Sequence, residues 1–244
     1  AGEMARVLYV SIDGDGWHKA VAAQMKGLNA PQGYELTVAN SLWGQKGYVF
    51  LPEYLALIGN YYGGEIDQVD FANVSVAAGR INTWVSDKTN GKVPEIVSTH
   101  DLSSLTRLVL VNAVYFKGTW DNPFKKIHTQ NRRFYVAPQS EKVVAMMDQL
   151  GDFAYMDNDL LQVLELPYAG KDISMVIFLP RKADGLAEVE EVFDLDHYKE
   201  WIAMLSDRQV NVTLPKFKNT STFSMAQTLA AMGITEAFSG RADF

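Results

Sequence analysis

Cysteine is absent from all 244 residues of the sequence. Without thiols the chain has no disulfide framework, no zinc site built on thiolates and no cysteine nucleophile. The absence leaves the cellular compartment open, because a domain of this length buries enough apolar surface to fold without disulfides.

Positive charge is also scarce. The sequence has 22 Lys and Arg against 29 Asp and Glu, which gives a formal charge of -7. Nucleic-acid binding needs a basic patch and anionic membranes attract basic segments, so we expect neither partner. The longest apolar runs, 108–116 and 173–180, have the length of strands and fall short of the roughly 18–20 residues that cross a membrane.

Motifs for catalysis and metal binding are missing too. The sequence contains neither a zinc-binding H-E-x-x-H pair nor a G-x-S-x-G nucleophile motif. Asp13-Gly14-Asp15-Gly16 begins like a calcium loop, but the sixth and twelfth positions of that loop hold His18 and Gln24. We therefore expect no metal and no cofactor. A hydrolase whose triad is assembled in space from distant segments stays open as an alternative.

Helical and strand patterns alternate along the chain without internal repeats. Periodicity predicts helices at 17–28, 52–61, 72–89, 186–193, 196–205 and 224–238, the last capped by Ser224. It predicts strands at 34–42, 65–69, 106–116, 134–136, 143–147, 161–166, 173–179 and 210–217. Because 106–116 is apolar almost throughout, we expect it to be buried on both faces. The order predicts a single α+β domain over 1–244 with more than one mostly antiparallel sheet.

Asn112 is a polar residue in the middle of that most apolar strand. A buried amide must find hydrogen-bond partners or cost roughly 1–3 kcal/mol. Two interpretations stay open. The amide is either a satisfied core group that fixes strand register, or a polar latch between two strands that can part.

Several segments together resemble one protein family. NAVYFKGTW at 112–120, followed by Pro123-Phe124, resembles the third strand of the main sheet in serpins. Further serpin-like segments follow in family order: NSLW (40–43), INTWV (81–85), TNGK (89–92), MM (146–147), LELPY (164–168), MVIFLP (175–180), LPKF (214–217) and LAAMGITEAF (229–238). The resemblance covers essentially the whole chain and implies a serpin-like α+β fold, with mixed, mostly antiparallel sheets surrounded by helices.

The resemblance also implies what the chain lacks. Serpins begin with helices that have no counterpart here, and they continue beyond a segment like 240–244 with a hinge, a reactive loop and core strands. We therefore expect a partial serpin domain, truncated at both ends, whose reactive-site bond lies outside the chain.

The function implied by the resemblance is inhibition of a serine protease, or alternatively a cysteine protease, by a suicide mechanism. The protease attacks an exposed loop, and the cleaved loop inserts as a strand into the main sheet. A serpin is a consumed substrate, so we expect no catalytic residues and no enzymatic activity, and a monomer that is extracellular by resemblance only. The chain as given should not inhibit. A non-inhibitory serpin relative, acting as carrier, chaperone or storage protein, is the alternative.

The site residues implied by the resemblance are mechanical. Asn112 matches the region where the sheet opens, which favours the latch interpretation. Trp120 matches the tryptophan at the point of loop entry. Lys216 matches a lysine of that entry region whose usual acidic partner belongs to the missing segment, so we expect it to be unpaired. The helix at 72–89 would lie across the sheet and yield while the loop passes.

Overall fold

The computed structural model describes residues 2–10, 16–29, 33–137, 139–221 and 223–239. Residues 13–15 of the Asp13-Gly14-Asp15-Gly16 segment, residues 30–32 and the last residues, 240–244, lie outside these ranges. The chain divides into two units, one of 1–31, 35–117 and 221–244 and the other of 32–34 and 118–220.

The described residues form helices and strands in an irregular order. The helices are α1 (Gly2–Val7), α2 (Gly16–Leu28), α3 (Pro52–Tyr62), α4 (Val74–Lys88), α5 (Leu186–Val192), α6 (Leu195–Ala203) and α7 (Ala226–Ala231), with 3₁₀ turns at Lys126–His128 and Glu236–Phe238. The strands are β1 (Glu35–Gln45), β2 (Glu65–Val69), β3 (Leu108–Lys117), β4 (Gln130–Ala137), β5 (Ser140–Asp157), β6 (Leu161–Pro167), β7 (Ser174–Pro180) and β8 (Ser206–Pro215). The mixture of helices with mostly antiparallel sheets confirms the predicted α+β class.

A three-stranded sheet in the order β2-β1-β3 organises the first unit. β1 runs parallel to β2 and antiparallel to β3, where Asn40 lies opposite Asn112. Helix α4 packs its buried stripe, which includes Ile81 and Val85, into one cluster with Trp43 of β1 and Val111 of β3. This core therefore lies on one face of the sheet.

Helix α4 begins and ends where local sequence signals place its termini. The Asn73 side chain accepts a hydrogen bond from the Val76 backbone N–H and caps the first turn. After Thr89 the backbone enters the left-handed region at Asn90 (φ 50°) and Gly91 (φ 71°). A left-handed residue cannot continue the helix, which ends at Lys88, one residue before the predicted end at Thr89.

The prediction that strand 106–116 is buried on both faces is wrong. In β3 the side chains of Val111 and Ala113 are buried, whereas Leu110 is 65% and Val114 56% exposed. Side chains alternate between the two faces of a strand, and α4 covers the face that carries Val111 and Ala113. The other face is buried over β1, where Leu42 is 0% exposed, but not over β3.

The second unit is built on a sheet in the order β4-β5-β6-β7, with β8 paired to β5. The β6–β7 hairpin matches the predicted strands 161–166 and 173–179, and the turn between them contains Gly170, which has a φ of 95°. One cluster joins this sheet to α5 and α6 through Val163, Val189 and Trp201. A second cluster, of Phe153, Leu166 and Val212, packs against Trp120.

The predicted last helix, 224–238, is also wrong in extent. Helix α7 covers only Ala226–Ala231, and its N-cap is Met225 rather than Ser224. Gly233, with a φ of 109°, interrupts the helical path before the 3₁₀ turn at Glu236–Phe238. The backbone N–H of Thr235 donates to the Glu3 carboxylate of α1 at 2.8 Å, a contact between distant segments that local periodicity does not reveal.

The length and apolar content of a helix determine whether it could cross a membrane. None of the described helices is both long and apolar enough to cross a membrane.

Ile81 supplies a test of this core. We expect Ile81→Ala to lower the free energy of unfolding by about 2–5 kcal/mol, because the side chain is fully buried and its loss leaves a cavity. Val76→Ala is the matched control, since Val76 lies on the same helix but is 54% exposed. Urea unfolding followed by circular dichroism measures both variants, and equal losses would contradict the assigned packing of α4.

Candidate functional site

Asn112 lies on the exposed face of β3, not on the face that contributes to the core. Its side chain is exposed, which excludes the interpretation as a buried core amide. The Nδ2 atom donates to the Oδ1 atom of Asn40 at 2.9 Å and to the backbone carbonyl of Ala39 at 3.3 Å. The amide therefore joins β3 to β1 by its side chain as well as through the backbone ladder.

Asn40 extends this connection to the end of α3. Its own Nδ2 atom donates to the backbone carbonyl of Tyr62 at 3.1 Å. Asn40 thus uses its oxygen toward Asn112 and its nitrogen toward the helix, which fixes the orientation of its amide. The sequence did not single out Asn40 as a site residue, because its pairing with Asn112 depends on strand register.

One edge of β3 faces β1, and the other, its outer edge, faces away from β1. The N–H of Val38 in β1 donates to Asn29, so the pair Val38–Val114 is not bonded across the ladder. The N–H of Gln45 donates to the carbonyl of Arg107. The odd-numbered residues of β3 are therefore the ones whose backbone groups bond to β1. Backbone groups alternate in an antiparallel pair, so those of Leu110, Asn112 and Val114 point to the outer edge. Among the described residues no strand pairs with that edge.

A salt bridge closes one end of the β1–β3 ladder. The Lys117 ammonium donates to Glu35 Oε1 at 2.8 Å, directly across the strand pair. This hydrogen bond holds the pKa of the Glu35 carboxyl below its ordinary value and raises the pKa of Lys117. Both groups are solvent-exposed, so the pair marks the strand register more than it stabilises the fold.

Polar contacts join α4 to β2 and to the loop that follows the helix. Arg80 donates to Asp67 of β2 at 2.6 Å and to the backbone carbonyl of Gln68 at 2.9 Å. The amide of Asn82 bonds the following loop, donating to the carbonyl of Val97 and accepting from its N–H. The helix predicted to lie across the sheet does pack on it.

Trp120 lies in the second unit, where it stacks on Tyr168. The two ring centroids are 4.4 Å apart with an interplanar angle of 13°. The segment around Trp120 is tied to the end of β6 by backbone bonds, from the N–H of Asp121 to Pro167 and from that of Ala169 to Thr119. The indole is half-buried against the cluster of Phe153, Leu166 and Val212.

Lys216 follows β8 in the same unit. Its backbone N–H donates to the carbonyl of Ala145 at 2.8 Å, and its side chain is exposed. Across the described ranges no carboxylate lies within 4.0 Å of its ammonium group. Asn112 belongs to the first unit, so the structure brings Trp120 and Lys216 into one unit and leaves Asn112 in the other.

Histidine and carboxylate side chains form no metal centre in the part of the chain that the structure describes. The ring of His18 shares a hydrogen bond with the Tyr62 hydroxyl at 2.8 Å, and that of His197 contacts Asp194 at 2.8 Å. The backbone N–H of His197 also donates to Asp194, so this residue caps α6. Both imidazoles therefore contact a neighbouring polar side chain.

Known proteins similar to this chain point in one direction. A family model described as Serpin (serine protease inhibitor) matches residues 1–244. Serpin B4 of Homo sapiens is 37% identical over 246 residues, which cover 99% of this chain and 63% of that protein. The leukocyte elastase inhibitor of Bos taurus is 38% identical over 253 residues, covering 100% of this chain and 67% of that protein. The chain therefore spans about two thirds of the length of these relatives.

Solved structures agree with the sequence relatives. Ovalbumin from emu (Dromaius novaehollandiae) matches with a TM-score of 0.94 at 32% identity, over 99% of this chain and 67% of that one. Reactive loop cleaved human thyroxine binding globulin matches with a TM-score of 0.91 at 28% identity, over 99% of this chain and 72% of that one. The chain thus shares its fold with these structures.

The amide contact between β3 and β1 gives a specific prediction. Asn112→Asp should lower the free energy of unfolding by about 1 kcal/mol, because a carboxylate would face the oxygens of Asn40 and Ala39 without a proton to donate. Urea unfolding measures the loss. Asn211→Asp on β8 is the matched control and should change stability by less than about 0.5 kcal/mol, since it is an exposed strand position. An equal effect of the two substitutions would exclude the contact.

The Glu35–Lys117 pair predicts a pH dependence. Because the folded-state pKa of Glu35 is lowered, its contribution to stability is present above the ordinary value of 4.5 and is lost as the pH falls through the folded-state value. Carboxyl NMR titration should give Glu35 a pKa below 4.5, and Lys117→Met should move it upward. Lys142→Met in the second unit is the control, and an equal shift with that variant would refute the assignment.

Proposed function

The chain belongs to the serpin (serine protease inhibitor) family, and we propose that it carries the sheets of an inhibitor that traps its target protease by strand insertion. Residues 1–244 then form one partial serpin domain of a longer inhibitor. The coverage of 63% of Serpin B4 supports a longer parent protein. The target is a serine protease, or alternatively a cysteine protease.

The outer edge of β3 is the observation that carries this proposal. Leu110, Asn112 and Val114 direct backbone N–H and C=O groups toward an edge that no described strand occupies. Such a row of groups is a template for an additional strand, and pairing satisfies each donor and acceptor. An inserted loop would gain a backbone ladder along β3 without breaking the ladder to β1.

The chemistry belongs to the protease and the loop. The serine oxygen of the protease bonds to a loop carbonyl carbon, the peptide bond breaks, and the new amine takes a proton and departs. An ester then joins protease and inhibitor. Insertion of the loop moves the attached protease before water hydrolyses that ester, so the chain itself supplies mechanical elements rather than catalytic groups.

Three residues receive roles in this proposal. Asn112 holds β3 on β1 while the outer edge accepts a strand, which its 2.9 Å bond to Asn40 supports. Trp120 provides an apolar surface where the loop enters the sheet, and its stacking on Tyr168 supports this role by holding the indole in place. Lys216 offers an exposed cation there for a carboxylate of the parent protein.

A carrier function is the second candidate. The likeness to thyroxine binding globulin favours it, because that protein's name states that it binds thyroxine. A carrier needs no strand insertion, so the two candidates differ in what happens after the loop is cut.

A trapping assay on the full-length parent tests the proposal. The parent is incubated with trypsin-like, chymotrypsin-like and subtilisin-like proteases and then boiled in detergent. We expect a band at the summed mass for at least one protease, and mapping of the released fragment gives the scissile bond. Cleavage by every protease without such a band would contradict trapping and favour the carrier.

A variant of β3 makes the assay specific to the outer edge. Val114→Pro removes an outward N–H and leaves the bonded pairs of the β1–β3 ladder unchanged. It should convert the parent into a cleaved substrate with little trapped complex, whereas Val114→Thr, which keeps the N–H, should trap normally. Circular dichroism verifies that both variants fold, and undiminished trapping by the proline variant would exclude insertion beside β3.

A further inference from the structure

Strand β2 forms the second edge of the first unit's sheet, on the side of β1 away from β3. The N–H of Lys46, directly after β1, donates to the carbonyl of Val69 in β2. Successive residues of a strand direct their backbone groups to alternate edges. The odd-numbered residues of β2 therefore face β1, and the backbone groups of Ile66 and Gln68 point outward.

Side chains already occupy the outward groups of Gln68. The Nη1 atom of Arg80 in α4 donates to the Gln68 carbonyl at 2.9 Å. The Gln68 N–H donates to Oδ1 of Asp67 at 2.8 Å. Only Ile66 keeps outward backbone groups without a partner among the described residues of β2. A single residue gives an incoming strand no ladder, because a ladder needs bonds at alternate residues.

Further contacts hold the Arg80 guanidinium at this edge. Its Nη2 atom donates to Oδ2 of Asp67 at 2.6 Å, and its central carbon lies 5.8 Å from the ring centroid of Trp43. The N–H groups of a guanidinium form a rigid fork, so one side chain can bond a carboxylate and a carbonyl together. A strand that paired with Gln68 would have to break this set of contacts.

The two edges of the sheet therefore differ. β2 has five residues and a charged side chain bonded to its outer edge, and both features protect a strand from further pairing. β3 has ten residues, and no described side chain bonds the outward backbone groups of Leu110, Asn112 and Val114. An additional strand thus finds a continuous row of donors and acceptors at one edge only.

We propose that Arg80 determines where this sheet accepts a strand, by closing the β2 edge and leaving the β3 edge as the acceptor. The consequence for inhibition rests on the proposed function, in which a loop inserts beside β3. The closure is a property of the 244-residue chain by itself. Loss of the Arg80 donors returns the Gln68 carbonyl to the edge, and a second copy of the chain can then pair with it about a two-fold axis.

Cross-linking of the 244-residue chain tests the closure. The sequence has no cysteine, so Ile66→Cys adds a single thiol on β2 that a short bifunctional maleimide can join between copies. Arg80→Met, added to this reporter, keeps an apolar stem against Trp43 and removes the N–H donors. The cross-linked dimer should increase at least about tenfold, because each copy contributes a freed carbonyl. Adding Asp67→Ala, which also frees the Gln68 N–H, should increase it further.

Two controls locate the effect at β2. Arg107→Met removes another exposed arginine of the same unit, which donates to two carbonyls of its own loop, and should leave cross-linking of the Ile66→Cys reporter unchanged. Leu105→Cys moves the thiol to a loop position that is 78% exposed, where Arg80→Met should not increase the dimer. Circular dichroism should show that α4 stays folded, since an exposed ion pair contributes little to stability.

Three results would overturn the inference. An unchanged dimer fraction with Arg80→Met, both alone and together with Asp67→Ala, would show that Arg80 does not close the edge. An equal increase with the Leu105→Cys reporter would indicate general association. Loss of the helix in Arg80→Met would make Arg80 a residue that holds α4. Failure of the parent to trap a protease would contradict the proposed function alone, because no protease enters this assay.

Discussion

The register of the antiparallel ladder between β1 and β3 is the constraint on which the first unit depends. Ten residue pairs align these strands, from Glu35–Lys117 to Gly44–Leu108. Because side chains alternate with a period of two, a slip of one residue would exchange the buried and exposed sides of β3. Val111 would then leave the core and Asn112 would enter it. The same register directs backbone groups to the outer edge, so core, amide contact and open edge are set together.

Helix α4 depends on that register through apolar contact more than through charge. Its Arg80–Asp67 pair is short, but both side chains are nearly half exposed, at 47% and 44%, and such pairs contribute little. Ile81 and Val85, by contrast, are almost fully buried with Trp43 in the sheet-side cluster. Moving α4 away from the sheet would return this apolar surface to water, at roughly 25 cal/mol per Å². A helix held in this way resists displacement in proportion to the area it covers.

Local patterns were sufficient for elements whose ends carry their own signals. The helix predicted at 72–89 corresponds to α4, and the strands predicted at 161–166 and 173–179 correspond to β6 and β7. Patterns failed where distant segments decide the outcome. The extent of α7 depends on Gly233 and on the contact of Thr235 with Glu3, and the face of β3 that is buried depends on α4. The resemblance to serpins assigned roles to Asn112, Trp120 and Lys216, but it did not predict the contacts that these residues make.

The two amides of greatest interest occupy opposite environments. Asn112, in the most apolar segment of the sequence, is exposed and bonded to Asn40. Gln149, in a strand of mixed composition, is buried and unbonded. Burying an amide without a partner costs roughly 1–3 kcal/mol, whereas an exposed amide can return to water at little cost. Asn112 therefore adds an exposed polar contact to the β1–β3 ladder. Gln149 instead keeps an unbonded amide inside the second unit, at a cost in the free energy of folding.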